Sequence, residues 1–105
     1  MAKGKPKLPE TLKVGAMEYS VEINNDFLDG LNAHGATDNN GLQIRLNDIA
    51  PLVQRQGTAL HEAIHAVNRV YCQGAALSEE QTSALAHGLL QVLRDNPQYA
   101  AFILA

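Results

Sequence analysis

A second cysteine is missing. Cys72 stands alone among 105 residues, so no intramolecular disulfide can form, and a reducing, intracellular setting such as the cytoplasm is expected. No stretch is apolar for long enough to cross a bilayer, which argues against a membrane role. Met1 to Glu10 carries three lysines but no apolar segment behind them, so it does not read as a secretory signal. Basic charge is scarce as well. Eight Lys and Arg against eleven Asp and Glu give a net charge of -3, and nucleic acid as main partner is disfavoured because phosphate contacts need clustered cations. The one basic cluster, Lys3, Lys5 and Lys7, lies in a Gly/Pro-containing stretch, and residues 1–10 read as a flexible basic leader. The chain lacks an internal repeat, and its length suits one core, so 11–105 is expected to form a single domain.

What is present divides into a strand-like half and a helical half. Leu12-Lys13-Val14 and Glu18 to Ile23 alternate like two short strands turning at Gly15, with Tyr19, Val21 and Ile23 on one face. Asn24 to Gly35 has no clear period and reads as a loop. Thr37-Asp38-Asn39-Asn40-Gly41 is a turn signal, and Leu42, Ile44 and Leu46 alternate beyond it as a third strand. Asn47 or Asp48 is positioned to cap a helix with Pro51 in its first turn. The fold class expected is α+β, with a small antiparallel sheet of about three strands packed on two long helices.

The first helix should run from Leu52 to about Cys72, with a break near Gly57 conceivable, and stop at Gly74. Leu60, Ile64, Val67 and Tyr71 form one stripe, with Ala59, Ala63, Ala66 and Val70 beside it, so this should be the buried central helix. The second opens with a Ser78/Gln81 capping box and runs to about Arg94, with Leu85, Ala86, Leu89, Val92 and Leu93 as its core face. Asp95-Asn96-Pro97 ends it, and Gln98 to Ala105 is apolar enough for a short further helix.

The chemistry lies in His61-Glu62-Ala63-Ile64-His65. Four residues of helix bring the two imidazoles to one face, roughly 6 Å apart along the axis. Two rings so spaced reach one zinc ion at about 2.0–2.1 Å without bending the backbone. Glu62 points to the side of that ion, outside its ligand set, where it can act as general base toward a metal-activated water in amide hydrolysis. Chance puts this pattern in roughly one in several hundred chains of such length, and an apolar helix rarely places His, Glu and His in successive turns without a partner for them.

Catalytic zinc usually has three protein ligands. Winding the second helix back seven residues from Ala86 gives Glu79, which should face the first helix, whereas Glu80 lies about 100° round on the stripe of Ala84 and His87. Glu79, Glu80 and His87 all stay open at this point. Cys72 shares a face with His61, His65 and Asn68 but sits nearly two turns past His65, so it reads as a buried inert thiol. Asn68 is placed to orient a ligand or to cap the site. His34 falls in a loop and should be solvated. Tyr71, His87 and Tyr99 are candidates for stabilising an oxyanion, although core or surface roles suit each of them better.

From about Leu42 to Pro97 the chain resembles the gluzincin-type HExxH zinc metallopeptidases, and more closely the small phage- and prophage-encoded proteins of that kind. The resemblance rests on Leu60-His61-Glu62-Ala63-Ile64-His65-Ala66 and on Leu77-Ser78-Glu79-Glu80 followed by Leu85 to Pro97. It implies a minimal zincin-like domain, Zn2+ as cofactor, and Glu79 as third ligand. It implies a protein or peptide substrate and a cytoplasmic site of action in a bacterial host. The chain has no room for a second domain to complete a cleft, so a homodimer or a host protein partner is an expected complement. The alternative is a non-catalytic metal-binding regulatory or interaction module of a mobile element, whose structural site would need a fourth ligand from Cys72 or His87.

Overall fold

Gly15 takes a φ of +59°, the left-handed turn conformation open to glycine at little cost, and folds β1 (Thr11–Val14) back on β2 (Met17–Ile23). In this computed structural model, which describes residues 6–105, the two strands pair antiparallel with Leu12 opposite Tyr19. Two further strands, β3 (Gly35–Asp38) and β4 (Gln43–Leu46), complete a four-stranded sheet in the order β1-β2-β4-β3. β4 lies parallel to β2 and antiparallel to β3. The fold is α+β, but the sheet is mixed rather than wholly antiparallel and has one strand more than the sequence pattern implied. β3 escaped notice because Gly-Ala-Thr-Asp offers no apolar alternation. Of the basic leader, residues 1–5 lie outside the described residues, and 6–10 carry neither helix nor strand.

The parallel pair requires a crossover, and the segment expected to be a loop supplies it. α1 (Asn25–Leu31) is capped by the Asn24 side chain, which accepts from the Phe27 amide at 3.1 Å, and it ends at Asn32 in the left-handed conformation. Seven residues make a marginal helix in water; burial of Leu28 fixes this one in place. The turn after it is shorter than expected, because Thr37 and Asp38 belong to β3. Asp38 Oδ1 accepts from the amides of Asn40 and Gly41 at 3.0 and 2.9 Å, an Asx turn that starts β4 in register.

α2 (Leu52–Tyr71) lies on the sheet without interruption at Gly57. Val14, Tyr19, Ile44, Leu46 and Ala66 make the buried core between the two. Pro51 is its N-cap and no side chain caps it. Asn47 instead accepts from the amides of Ile49 and Ala50, shaping the turn before the helix, and Asp48 pairs with Asn25. The α2 stripe drawn from the sequence is only partly covered, since Val67 and Tyr71 are exposed while Glu62 and Ala66 are buried. At the other end Gly74, with φ +72°, stops the helix as expected. Asn68 Nδ2 donates to Ala75 O at 2.9 Å, so Asn68 fastens this turn and does not orient a ligand.

α3 (Glu79–Asp95) opens with the expected capping box of Ser78 and Gln81 and runs back antiparallel along α2. Its buried residues are Thr82 and Ala86. Leu85, Leu89 and Val92, expected in the core, are exposed: the side turned to α2 is narrow and built of small residues. α4 (Pro97–Leu104) follows after Asn96 and packs on α3.

Candidate metal centre

The antiparallel pairing of α2 and α3 sets the first turn of α3 against the middle of α2, where the two histidines lie. His61 Nε2 and His65 Nε2 are 3.1 Å apart, and Glu79 places one carboxylate oxygen 3.3 Å from the first and the other 2.9 Å from the second. Ligands about 2.0–2.1 Å from a tetrahedral ion lie roughly 3.3–3.4 Å from one another. The triangle of two imidazole nitrogens and a carboxylate is therefore close to the size zinc requires, and the donor set suits it. Two imidazole lone pairs facing each other would repel without a cation or a shared proton between them.

His61 also has a partner outside the triangle. Ser83 Oγ lies 3.1 Å from His61 Nδ1, so a proton on Nδ1 donated to Ser83 leaves the Nε2 lone pair free for a metal. Ser83 was not singled out by the sequence; its spacing of four from Glu79 was the available signal. Among the described residues, the acidic, cysteine and histidine side chains that converge on one point are His61, His65 and Glu79. Glu80, the alternative third ligand, is exposed and outside this group. The side chain of Glu79 is itself 73% exposed, so it reaches the triangle from the rim rather than from a buried face. Cys72 is exposed, not the buried thiol expected, and outside the group too.

Glu62 is held apart from the triangle. The residue is 6% exposed, and its Oε1 accepts from the Thr37 hydroxyl at 2.7 Å, with the Glu62 carbonyl 3.1 Å from the same hydroxyl. Burial pushes its pKa upward. Against that, the Thr37 hydrogen bond and the nearby His61 and His65 pull it down, and Glu79 adds a smaller upward push. Gly35, two residues before Thr37 on β3, leaves room for this carboxylate: a Cβ there would stand 2.8 Å from Thr58 Cγ2 and 3.0 Å from Glu62 Oε2.

Two openings flank the centre. One, of about 400 Å³, is lined by His34, Gly57, His61, Glu62, Glu79 and His87 among others. The other, of about 300 Å³, is lined by Gly35, Thr37, Asn39, Glu62, His65 and Glu79. Glu62 and Glu79 border both. His34 is exposed, as expected, and forms part of the first wall. His87 Nδ1 is 2.8 Å from Ser83 O, which requires a proton on Nδ1 and turns Nε2 toward the cleft over Gly57. Tyr71 is distant from the centre, beside Gly15, and Tyr99 lines the α3–α4 corner. No protein-family model, curated protein or solved structure matches the chain.

Proposed function

We propose that this chain is a zinc-dependent metallopeptidase acting on a specific protein or peptide, with His61, His65 and Glu79 as metal ligands and Glu62 as general base. The observation that carries the reading is the division of labour around one point. Three donors converge at metal-ligand spacing, while a fourth ionisable group, buried and hydrogen-bonded, borders the same cleft without joining them. A structural site would be closed by a fourth protein ligand; this arrangement leaves the cleft side open, which favours catalysis over the regulatory-module alternative.

When bound, a divalent ion such as zinc supplies Lewis acidity that acidifies water and polarises a carbonyl. Glu62 then accepts one proton of the attacking water as its oxygen bonds to the scissile carbon. It returns that proton to the amide nitrogen as the carbon–nitrogen bond breaks. The upward push of burial on Glu62 makes it a better proton acceptor near neutral pH, and Thr37 aims it. Ser83 orients His61 and holds its proton on the outer nitrogen. β3 is an edge strand that borders the second opening, so an extended peptide can pair along it while crossing between the two openings. On the sequence resemblance alone, we further propose kinship with the small phage gluzincins and a place of action in the cytoplasm of a bacterial host.

A Glu62→Gln protein tests it. We expect the variant to keep one zinc per chain and to cleave protein substrates about 10²–10⁴-fold more slowly, the usual contribution of a general base. Cleavage at the parent's rate would remove Glu62 from the role.

A further inference from the structure

Two histidines outside the metal triangle line the cleft of about 400 Å³ beside it, and their neighbours place their hydrogens on opposite nitrogens. At His87 the partner of Nδ1 is the Ser83 carbonyl, 2.8 Å away. A carbonyl only accepts, so Nδ1 carries the hydrogen and Nε2 of the neutral ring keeps a lone pair. That nitrogen has no hydrogen to give an oxyanion. At His34 the partner of Nδ1 is the Asn47 side chain, 3.4 Å away. Asn47 Oδ1 already accepts from the amides of Ile49 and Ala50, both at 3.2 Å, so the atom turned to His34 is Nδ2, which only donates. His34 Nδ1 therefore accepts, and Nε2 of its neutral ring carries the hydrogen. Asn47 also fastens the main chain beneath this ring, since its backbone nitrogen and its Nδ2 both donate to the His34 carbonyl.

The cleft thus has an acceptor on α3 and a donor on the segment between α1 and β3. Gly57 keeps the acceptor open. It lies inside α2, one turn before His61, where alanine would make a more stable helix. Beyond the helix's own backbone, the nearest atom an added Cβ would meet is His87 Nε2, at 3.6 Å. Packing within the chain does not call for glycine there; a methyl would lie against the lone pair. Among the described residues, no Asp, Glu, Lys or Arg lines the cleft apart from Glu62 and Glu79 of the centre itself.

We propose that this cleft is a subsite for an uncharged carboxamide side chain, a glutamine or asparagine next to the scissile bond. Its N–H donates to His87 Nε2 and its carbonyl accepts from His34 Nε2. A carboxamide carries one group of each kind. A carboxylate would set oxygens against the His87 lone pair, Glu62 and Glu79, and an ammonium would set its hydrogens against that of His34. An apolar side chain would strip water from both rings and return no hydrogen bond. The main-chain amides of an extended substrate have the β3 edge, at the other opening, for partners, which leaves this cleft to a side chain. As a substrate preference the inference rests on the peptidase reading; as a binding site it does not.

The probes are N-acetyl-glutamine methylamide and its glutamate and methionine counterparts, titrated into the full chain with and without zinc. Proton–nitrogen spectra of the imidazoles follow the binding. In the free chain they should show hydrogen on Nδ1 of His87 and on Nε2 of His34, and the same tautomer in both rings would overturn the proposal. We expect the glutamine probe to bind about tenfold or more tightly than either counterpart, the loss that follows when polar partners go unmet. His87→Phe and His34→Ala should each erase the preference without changing helix content, both positions being exposed. Gly57→Ala should erase it too while raising the melting temperature, a combination that a glycine required by packing would not give. Equal binding of the three probes, or a preference that survives His87→Phe, would also overturn the proposal. A chain that prefers glutamine but cleaves no peptide keeps this subsite and loses the peptidase reading. One that cleaves peptides but binds the three probes alike does the reverse.

Discussion

The Thr37 hydroxyl lies 2.7 Å from Oε1 of Glu62, tying the edge strand of the sheet to the middle of the long helix. The tie joins the side chain nominated as proton acceptor to a residue 25 positions earlier. A hydrogen bond to a charged group contributes about 1.5–3 kcal/mol. Thr37→Val should therefore lower kcat about tenfold or more with little change in KM, because it frees the carboxylate without altering the peptide's footing. Thr37→Ser, which restores the hydroxyl, should recover most of the rate. A fall in both variants alike would mean that Thr37 serves packing alone.

Ser83 makes the corresponding contact on the metal side. Its hydroxyl fixes the His61 ring through Nδ1 at 3.1 Å, and loss of such an outer partner commonly costs about 10–100-fold in metal affinity. Ser83→Ala should weaken zinc binding by that factor in a competition titration against a chelator of known affinity, with the melting curve of the metal-free protein nearly unchanged.

Glu62 also makes stability depend on pH in the metal-free protein. Burial, the strongest influence, raises its pKa above that of the unfolded chain, so the folded state holds the proton more tightly. Its contribution to stability is then fully present below the unfolded pKa and is lost as pH rises through the folded value. Melting temperatures of the metal-free parent should fall over that window. Glu62→Gln, which has no charge to bury, should remove this fall and melt higher than the parent at neutral pH. A variant with an unchanged pH profile would show that the carboxylate is not strained by its surroundings.

Much of the centre was legible because its parts are local. Helical spacing alone puts His61 and His65 on one face, and the Ser78/Gln81 box fixes where α3 starts, hence where Glu79 lies. The seven-residue step back from Ala86 reached the glutamate that lies beside the two histidines, because Ala86 is buried on the side of α3 that faces α2. The same reasoning misplaced Leu85, Leu89 and Val92, since apolar periodicity marks a stripe of the helix but does not show whether another element covers it. What sequence patterns do not carry is long-range contact. Thr37 reaches Glu62 only because β3 forms an edge strand from four residues without apolar alternation, and β3 is delivered there by α1, a helix too short to announce itself.

The triangle of His61, His65 and Glu79 is the part of the account on which the chemistry depends, and zinc titration of metal-stripped protein followed by elemental analysis addresses it most directly. We expect one tightly held zinc per chain, with affinity falling at least 100-fold in His65→Ala and in Glu79→Ala. Protein that takes up no stoichiometric zinc, or that binds it equally well without Glu79, would contradict the assignment.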